Sequence, residues 1–178
     1  MNTENILDSL YFDDDADISI IRQKTVAVIG YGNQAKAQAL NLHDSGVNTI
    51  VGLREGSTSI VKAKSDGLKV KLIEDAVRES DVIVLLVPDQ VMSEVYNSSI
   101  HNNLSPESML IFAHGYNIHY GLITPPLNVD VAMAAPSGAG KVVRSEYLAG
   151  KGIPNLIAVK QNHTGKALDT ILSYSKAI

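Results

Sequence analysis

The chain has 178 residues, a formal charge of −4 and an isoelectric point near 5.7, and these values give no reason to expect nucleic acid or an anionic membrane as a partner. It contains no cysteine, which excludes disulfides and thiolate chemistry, and no apolar stretch reaches the roughly 18 residues of a membrane span. We therefore expect a soluble, cytoplasmic α/β domain over residues 1–178 with an aliphatic core.

Residues 1–23 are predicted to form a polar N-terminal arm. Tyr11 and Phe12 precede an acidic run, Asp13–Asp15, and we expect the two aromatic rings to hold a solvated arm on the sheet. Asp17 is placed to cap a short helical turn that follows it.

The next segment joins a short strand to a glycine-rich turn and a helix. Residues 24–29 are mostly β-branched and apolar, and residues 32–45 are rich in alanine and leucine. Between them Gly30, Gly32 and Ala35 form a G-x-G-x-x-A pattern. In this pattern the first glycine makes the turn, and the second lets the backbone approach a pyrophosphate. The alanine lets helix and strand pack closely. The helix N-terminus favours phosphate. The alternative is a plain strand-to-helix turn, but the context favours a dinucleotide site.

The end of the second predicted strand, Asn48–Leu53, indicates which dinucleotide. Enzymes that prefer NAD usually carry Asp or Glu there for the ribose 2′-hydroxyl. This chain has Arg54, followed by Ser57 and Ser59, and a guanidinium with hydroxyl groups suits a 2′-phosphate. Glu55 argues slightly for NAD, and an ordinary surface arginine with Ser57 as a helix N-cap is the alternative. The pattern favours NADP(H).

The remaining chain alternates strands with helices. Further strands are predicted near 70–72, 81–87, 108–113, 129–135 and 155–160, and further helices near 60–66, 74–80, 91–99 and 164–178. After Asp81 the strand at 81–87 is wholly apolar, as a central parallel strand buried on both faces is. The alternation predicts a doubly wound, mostly parallel α/β sheet in three αβα layers, the Rossmann fold.

Four segments occur in one order in the chain: Gly30-Tyr-Gly-Asn-Gln34, Val51-Gly-Leu-Arg-Glu-Gly-Ser57, Phe112-Ala-His-Gly-Tyr-Asn-Ile-His119 and Arg144-Ser-Glu-Tyr147. This set resembles the N-terminal NADP-binding domain of the ketol-acid reductoisomerase (acetohydroxyacid isomeroreductase) family, from about residue 11 to residue 178. The resemblance implies an oxidoreductase of valine and isoleucine biosynthesis that converts 2-acetolactate or 2-aceto-2-hydroxybutyrate to 2,3-dihydroxy acids, by Mg²⁺-assisted alkyl migration and then hydride transfer from NADPH.

The resemblance also implies site residues. His114 matches the active-site histidine of the family, and an imidazole near neutral pH can move a proton or orient a hydroxyl. The cofactor-binding positions fall into four groups: Tyr31, Gly32, Asn33 and Gln34 in the pyrophosphate turn, with Gly30 before them; Arg54, Ser57 and Ser59 in the 2′-phosphate loop; Asp89, Gln90, Val91 and Met92 along the cofactor; and Gly140 as a further contact.

Three departures from the family pattern bear on catalysis. The turn reads Asn33-Gln-Ala-Lys36 where the family has Ser-Gln-Gly-His. Ser137 replaces a lysine that lies close to the family's reaction centre, although Lys141 could partly substitute for it. The family's metal ligands belong to a helical C-terminal domain beyond residue 178, and no Asp/Glu set in this sequence has metal-ligand spacing. We therefore expect no metal site here and no complete reaction from this polypeptide alone.

Three functional interpretations follow. The chain is the NADPH-binding part of a reductoisomerase that a complementing C-terminal chain completes, or an inactive paralogue that serves as a nucleotide-binding or regulatory module. A third possibility is an oxidoreductase of another small molecule, because the fold alone does not fix the chemistry. An apolar surface left open by the missing domain would also allow a homo-oligomer.

Overall fold

The computed structural model describes residues 10–178, which build one seven-stranded sheet with helices on both faces. The strands are β1 (Thr25–Ile29), β2 (Asn48–Leu53), β3 (Lys69–Leu72), β4 (Val82–Leu85), β5 (Met109–Phe112), β6 (Asp130–Pro136) and β7 (Asn155–Gln161). Their order in the sheet is β3-β2-β1-β4-β5-β6-β7. All neighbours are parallel except β6 and β7, which are antiparallel. The predicted doubly wound, mostly parallel α/β fold is confirmed.

The helices are α1 (Ile18–Arg22), α2 (Asn33–Asp44), α3 (Ser59–Ser65), α4 (Ile73–Arg78), α5 (Asp89–Val95), α6 (Tyr116–His119), α7 (Gly140–Leu148) and α8 (Ala167–Ala177). A π-helical turn, Tyr96–Ile100, extends α5. Within residues 10–178 no helix is long and apolar enough to cross a membrane.

The sheet separates two apolar cores. Successive side chains of a strand point to opposite faces, so β1 sends Val26 and Val28 into one core and Ala27 and Ile29 into the other. The first core is covered by α1, α2, α3 and α8, and the second by α4, α5 and the π-helical turn. Strands β1, β4 and β5 are buried almost throughout, which explains why their sequences are apolar runs without alternation.

The strand order reverses between β1 and β4, and ligands of open α/β sheets bind in the crevice that such a reversal creates at the carboxyl ends of the strands. Gly30 closes β1 at this point with φ of +103°. A Cβ there would lie 3.1 Å from the carbonyl oxygen of Leu86, just beyond β4. Gly30 is therefore required by both its backbone conformation and the closeness of the β4 chain.

The N-terminal segment differs from the expectation. The helical turn predicted after Asp17 is present as α1, but it is packed on the fold and not solvated: Ile21 is fully buried and donates its backbone N–H to the Ser173 hydroxyl on α8 (3.0 Å). Asp17 caps this helix as predicted, accepting from the Ser19 N–H at 2.9 Å. The expectation that Tyr11 and Phe12 anchor the segment on the sheet is wrong, because the two rings are 44% and 71% exposed. Residues 1–9 of the predicted arm lie outside the described residues.

Candidate cofactor site

The fold brings the predicted site residues to one edge of the sheet. They follow β1, β2, β4, β5 and β6, and because these five strands are parallel their carboxyl ends lie side by side. The turn after β1, at the reversal of strand order, is the centre of this edge. The loops after β2 and β4 are its immediate neighbours in the sheet.

The first turn of α2 is open to an external acceptor. Gly32 is its N-cap residue, the first bond of the helix runs from the Lys36 N–H to the Gly32 carbonyl (2.8 Å), and no described side chain caps the helix. A Cβ on Gly32 would meet nothing within 4 Å, and both Gly32 and Asn33 are exposed. Nothing inside the described protein requires glycine at position 32, and the missing side chain leaves the backbone accessible to a molecule that approaches from outside.

Gly140 lies where α7 begins directly on top of the start of α2. A Cβ on Gly140 would fall 2.1 Å from the Asn33 carbonyl oxygen, a distance that no side chain can occupy. Gln34 reinforces this junction by donating its amide to the Gly138 carbonyl at 2.7 Å. The geometry gives Gly140 a packing role, and a cofactor contact through its backbone stays a prediction.

The side chain of Tyr31 points into the protein and not into the crevice. It is only 6% exposed, and its hydroxyl donates to Asp66 Oδ2 at 2.8 Å. Burial, together with that carboxylate, raises the pKa of Tyr31 above its ordinary value. A contact between Tyr31 and the cofactor therefore has to come from the backbone. Lys36, one of the departures from the family pattern, donates to the same carboxylate oxygen at 2.6 Å.

The loop after β2 leaves Arg54 available. Arg54 is exposed, and its side chain forms no hydrogen bond or ion pair within residues 10–178. Gly56, with φ of +70°, turns the chain, and the Ser57 N–H donates to the Arg54 carbonyl at 3.2 Å. The Ser57 hydroxyl accepts from the Ser59 N–H at 3.3 Å. The N-cap residue of α3 is Thr58 and not Ser57, as the alternative interpretation had it, although Ser57 does bond to the first helical residue. The Arg54 guanidinium stays open to an anion.

The segment after β4 has mixed exposure. Met92 is buried in the second core, whereas Gln90 and Val91 are on the surface. Asp89 is held by Asn117, whose side-chain amide donates to the Asp89 carbonyl oxygen (3.3 Å) and to its Oδ1 (3.2 Å). The fully buried Asn117 joins the predicted cofactor segment to α6. Sequence reasoning gave this residue no role, since its only signal was its place in the segment that carries the resemblance.

His114 follows β5 and is exposed at the same edge. Its Nδ1 accepts a hydrogen bond from the Tyr116 backbone N–H at 3.1 Å. A neutral imidazole that accepts at Nδ1 carries its hydrogen on Nε2, so the ring can donate from that nitrogen to a bound molecule. Ser137 and Lys141, after β6, are exposed as well.

The described residues do not fit the magnesium part of the family reaction. Within residues 10–178 no group of three or more His, Cys, Asp and Glu side chains is arranged to hold a metal ion. The chemistry that this edge supports on its own is the binding of a dinucleotide, with one imidazole beside it.

Comparison with known proteins places this geometry in context. A model of the family described as "Acetohydroxy acid isomeroreductase, NADPH-binding domain" matches residues 20–178. A ketol-acid reductoisomerase (NADP(+)) of Beutenbergia cavernae is 54% identical over 169 residues, and one of Renibacterium salmoninarum is 56% identical over 169 residues. Each match covers 95% of this chain but 49% and 50% of the relative, so the chain spans about half the length of these relatives.

Two solved structures superpose on the chain, one of a ketol-acid reductoisomerase and one of a distant dehydrogenase. An NADH-preferring ketol-acid reductoisomerase from an uncultured archean superposes with a TM-score of 0.90 at 44% identity, covering 93% of this chain and 51% of that one. A 3-hydroxyisobutyrate dehydrogenase of Mycobacterium tuberculosis superposes with a TM-score of 0.65 at 16% identity over 86% of this chain and 52% of that one, which shows a shared fold alone.

Proposed function

The chain belongs to the acetohydroxy acid isomeroreductase family as its NADPH-binding domain, and from this premise we propose that it binds NADP(H) across the carboxyl edge of the sheet for the reduction of a 2-acetohydroxy acid. The product would be a 2,3-dihydroxy acid of valine and isoleucine biosynthesis. Because the chain spans about half the length of its relatives, the second half of such an enzyme would have to complete the reaction. The names of the relatives favour this interpretation over an inactive paralogue.

One observation carries the proposal: the uncapped start of α2 lies at the reversal of strand order, behind a glycine with open space around it. A helix N-terminus with unpaired N–H groups stabilises a diphosphate through hydrogen bonds and the helix dipole. The absence of a Cβ at Gly32 lets the diphosphate come within hydrogen-bonding distance of the backbone. The adenosine half would then lie beside β2 and the nicotinamide half beside β4 and β5.

The proposed preference for NADP(H) over NAD(H) depends on the loop after β2. Arg54 is exposed and lacks an acidic partner among the described residues, so its guanidinium can form a bidentate contact with a 2′-phosphate. The curated relatives are named for NADP(+), whereas the 44% identical solved structure is described as NADH-preferring. The family therefore contains both preferences, and this loop is where we expect the choice to be made.

The remaining residues have supporting roles in the proposal. A bound nicotinamide supplies the hydride. His114 presents its Nε2 hydrogen at the end of β5, where it can donate to or orient a substrate hydroxyl. Asn117 holds Asp89 and so fixes the start of α5 next to the same place.

Titration of the purified chain with NADPH and NADH tests the proposal. We expect tighter binding of NADPH, and we expect Arg54→Ala to weaken NADPH binding by about 1.5–3 kcal/mol, the range for a hydrogen bond to a charged group. NADH binding should change little because that cofactor has no 2′-phosphate.

Arg78→Ala is the matched control. Arg78 is also an exposed arginine, but it lines a cleft with residues that precede β1 and β4, at the opposite edge of the sheet, and pairs with Asp75. Its removal should leave both affinities unchanged. Equal affinity of the unmodified chain for the two cofactors would contradict the proposed preference, and failure to bind either would contradict the cofactor site.

A further inference from the structure

One carboxylate joins three elements around the proposed site. Asp66 Oδ2 accepts a hydrogen bond from the Tyr31 hydroxyl at 2.8 Å and from the Lys36 ammonium at 2.6 Å. Tyr31 belongs to the turn after β1, Lys36 to the first turn of α2, and Asp66 is the C-cap residue of α3. The three groups therefore meet on a single oxygen atom.

The elements joined in this way carry the two phosphate sites of the proposal. The backbone of Tyr31 lies between Gly30 and Gly32, in the turn that would hold the diphosphate. Helix α3 begins at Ser59, two residues after Ser57 in the loop that would hold the 2′-phosphate, and after only seven residues it reaches its C-cap residue, Asp66. Ser57 is bonded to the helix start through the Ser59 N–H. A short helix thus connects the 2′-phosphate loop directly to the carboxylate.

The linkage is stiff. The Tyr31 ring is packed in the first apolar core, so the hydroxyl has little freedom to follow a displaced carboxylate. The side chains of Lys36 and Asp66 are about one-third and one-quarter exposed, respectively, so their ion pair is only partly screened by water. A shift of α3 relative to α2 would break both contacts of Asp66 at once.

We propose that Asp66 is a positioning residue for cofactor specificity, which sets the spacing between the diphosphate turn and the 2′-phosphate loop through Tyr31. The inference rests on the proposed function. NADPH, which is held at both places, depends on that spacing more than NADH, which lacks the second phosphate. A merely structural carboxylate would change stability without changing the ratio of the two affinities.

Three variants and a control test the proposal in the full 178-residue chain, each titrated with NADPH and with NADH. Asp66→Ala removes the shared acceptor, Tyr31→Phe removes only one donor, and the third variant combines the two. The control is Asp44→Ala, which breaks an ion pair of the same 2.6 Å length, with Arg144, at the other end of α2. Melting temperatures of all four are recorded separately.

We expect Asp66→Ala to lower the NADPH-over-NADH preference about fivefold to tenfold, less than loss of a direct hydrogen bond to the charged phosphate would, because Asp66 acts only through the spacing of the two loops. Tyr31→Phe should lower this preference by a smaller factor. The preference of the double variant should be no lower than that of Asp66→Ala, because both substitutions act through one contact. Asp44→Ala should leave the preference unchanged.

An Asp66→Ala variant that melts earlier but keeps the preference would overturn the inference, as would an equal loss of affinity for both cofactors. The unmodified chain separates this failure from that of the proposed function. If it prefers NADPH and the preference depends on Arg54, the proposed function stands whatever the Asp66 variants show. If it binds both cofactors equally, the proposed NADPH preference and this inference both fail.

Discussion

Gly32 and Gly140 lie at the same junction but have opposite reasons for lacking a side chain. A methyl group at position 140 would collide with the Asn33 carbonyl oxygen at 2.1 Å, whereas one at position 32 would meet nothing within 4 Å. We expect Gly140→Ala to destabilise the fold by about 1–3 kcal/mol, the usual cost of overpacking. Gly32→Ala should cost less than about 1 kcal/mol, since its φ of −76° suits alanine, yet it should weaken NADPH binding.

Urea unfolding and NADPH titration of both variants separate these two effects. The expected result is a crossed pattern, in which Gly140→Ala loses mainly stability and Gly32→Ala loses mainly affinity. A Gly32→Ala variant that binds NADPH as tightly as the unmodified chain would show that no cofactor approaches this backbone.

Residue types pointed to the proposed site where the signal is local in the sequence. The G-x-G-x-x-A pattern and the strand before it located the turn, and the position after β2 located Arg54. The partners of the buried side chains could not be predicted in this way, because Asp66 is 35 residues from Tyr31 and Asn117 is 28 residues from Asp89. Gly140 was assigned to the cofactor by resemblance, whereas its contact with Asn33 depends on how α7 packs on α2.

At the scale of helices and strands, burial decided what the sequence could predict. The bounds of β2 were predicted without error, and β1, β4 and β5 within two residues, because apolar runs between polar ends are unambiguous. Helix α7 was not predicted, since it begins at the second glycine of Ser137-Gly-Ala-Gly140 and exposes Val142 and Leu148. The antiparallel direction of β7 depends on its pairing with β6, from Val131 with Gln161 to Pro136 with Asn155, which no local pattern reveals.

Helices α2 and α8 are joined by a buried hydrogen bond that can be tested on its own. The Tyr174 hydroxyl donates to Gln38 Oε1 at 2.5 Å, both residues are fully buried, and Gln38 in turn donates to Gln34 at 3.0 Å. Tyr174→Phe would leave the Gln38 oxygen without this donor, so we expect a loss of about 1–3 kcal/mol in urea unfolding. Tyr120→Phe, which alters a 65% exposed ring, should be close to neutral, and equal effects of the two would contradict the role of the buried bond.

The link between α2 and α3 predicts a pH dependence. The hydrogen bond from Lys36, aided by that from Tyr31, holds the pKa of Asp66 below its ordinary value of 3.8. A carboxylate whose pKa is lower in the folded state stabilises the fold above the unfolded value, and this contribution disappears as the pH falls through the folded value. Because the pair is partly exposed, we expect a contribution of about 1 kcal/mol or less.

Asp66→Asn isolates this contribution from those of other acids. Glu74 and Glu79 also have lowered pKa values, through hydrogen bonds from Ser99 and Lys71, but they are present in both chains and cancel in the comparison. The stability gap between the unmodified chain and the variant should be full at neutral pH and should close as the pH drops below 3.8. A gap that is independent of pH would mean that the ionised carboxylate is not what stabilises the link.

At the scale of the whole molecule, an open apolar cleft lies beside the proposed nicotinamide end of the site. A cleft of about 220 Å³ is lined by Phe112, Ile118, Met133 and Ala158, so it lies between β5, α6, β6 and β7. Leu156, on β7, is 65% exposed. Exposed apolar surface of this kind favours association, and we expect the chain to self-associate with rising concentration or to bind the second half of a relative. A monomer by sedimentation at all concentrations, with no binding to that second half, would contradict this.

The final prediction concerns catalysis by this polypeptide alone. The chain spans about half the length of the relatives it matches, and the resemblance assigns the magnesium ligands to their other half. We therefore expect the purified 178-residue chain to bind NADPH but not to oxidise it when 2-acetolactate and excess Mg²⁺ are added, as followed by NADPH absorbance. Addition of the separately expressed second half of a relative should start turnover. In that mixture His114→Ala should reduce turnover by a factor of about 10²–10⁴, the range for a positioned acid or base. Steady turnover by the chain alone, abolished by His114→Ala, would show that this edge of the sheet is sufficient for the reaction.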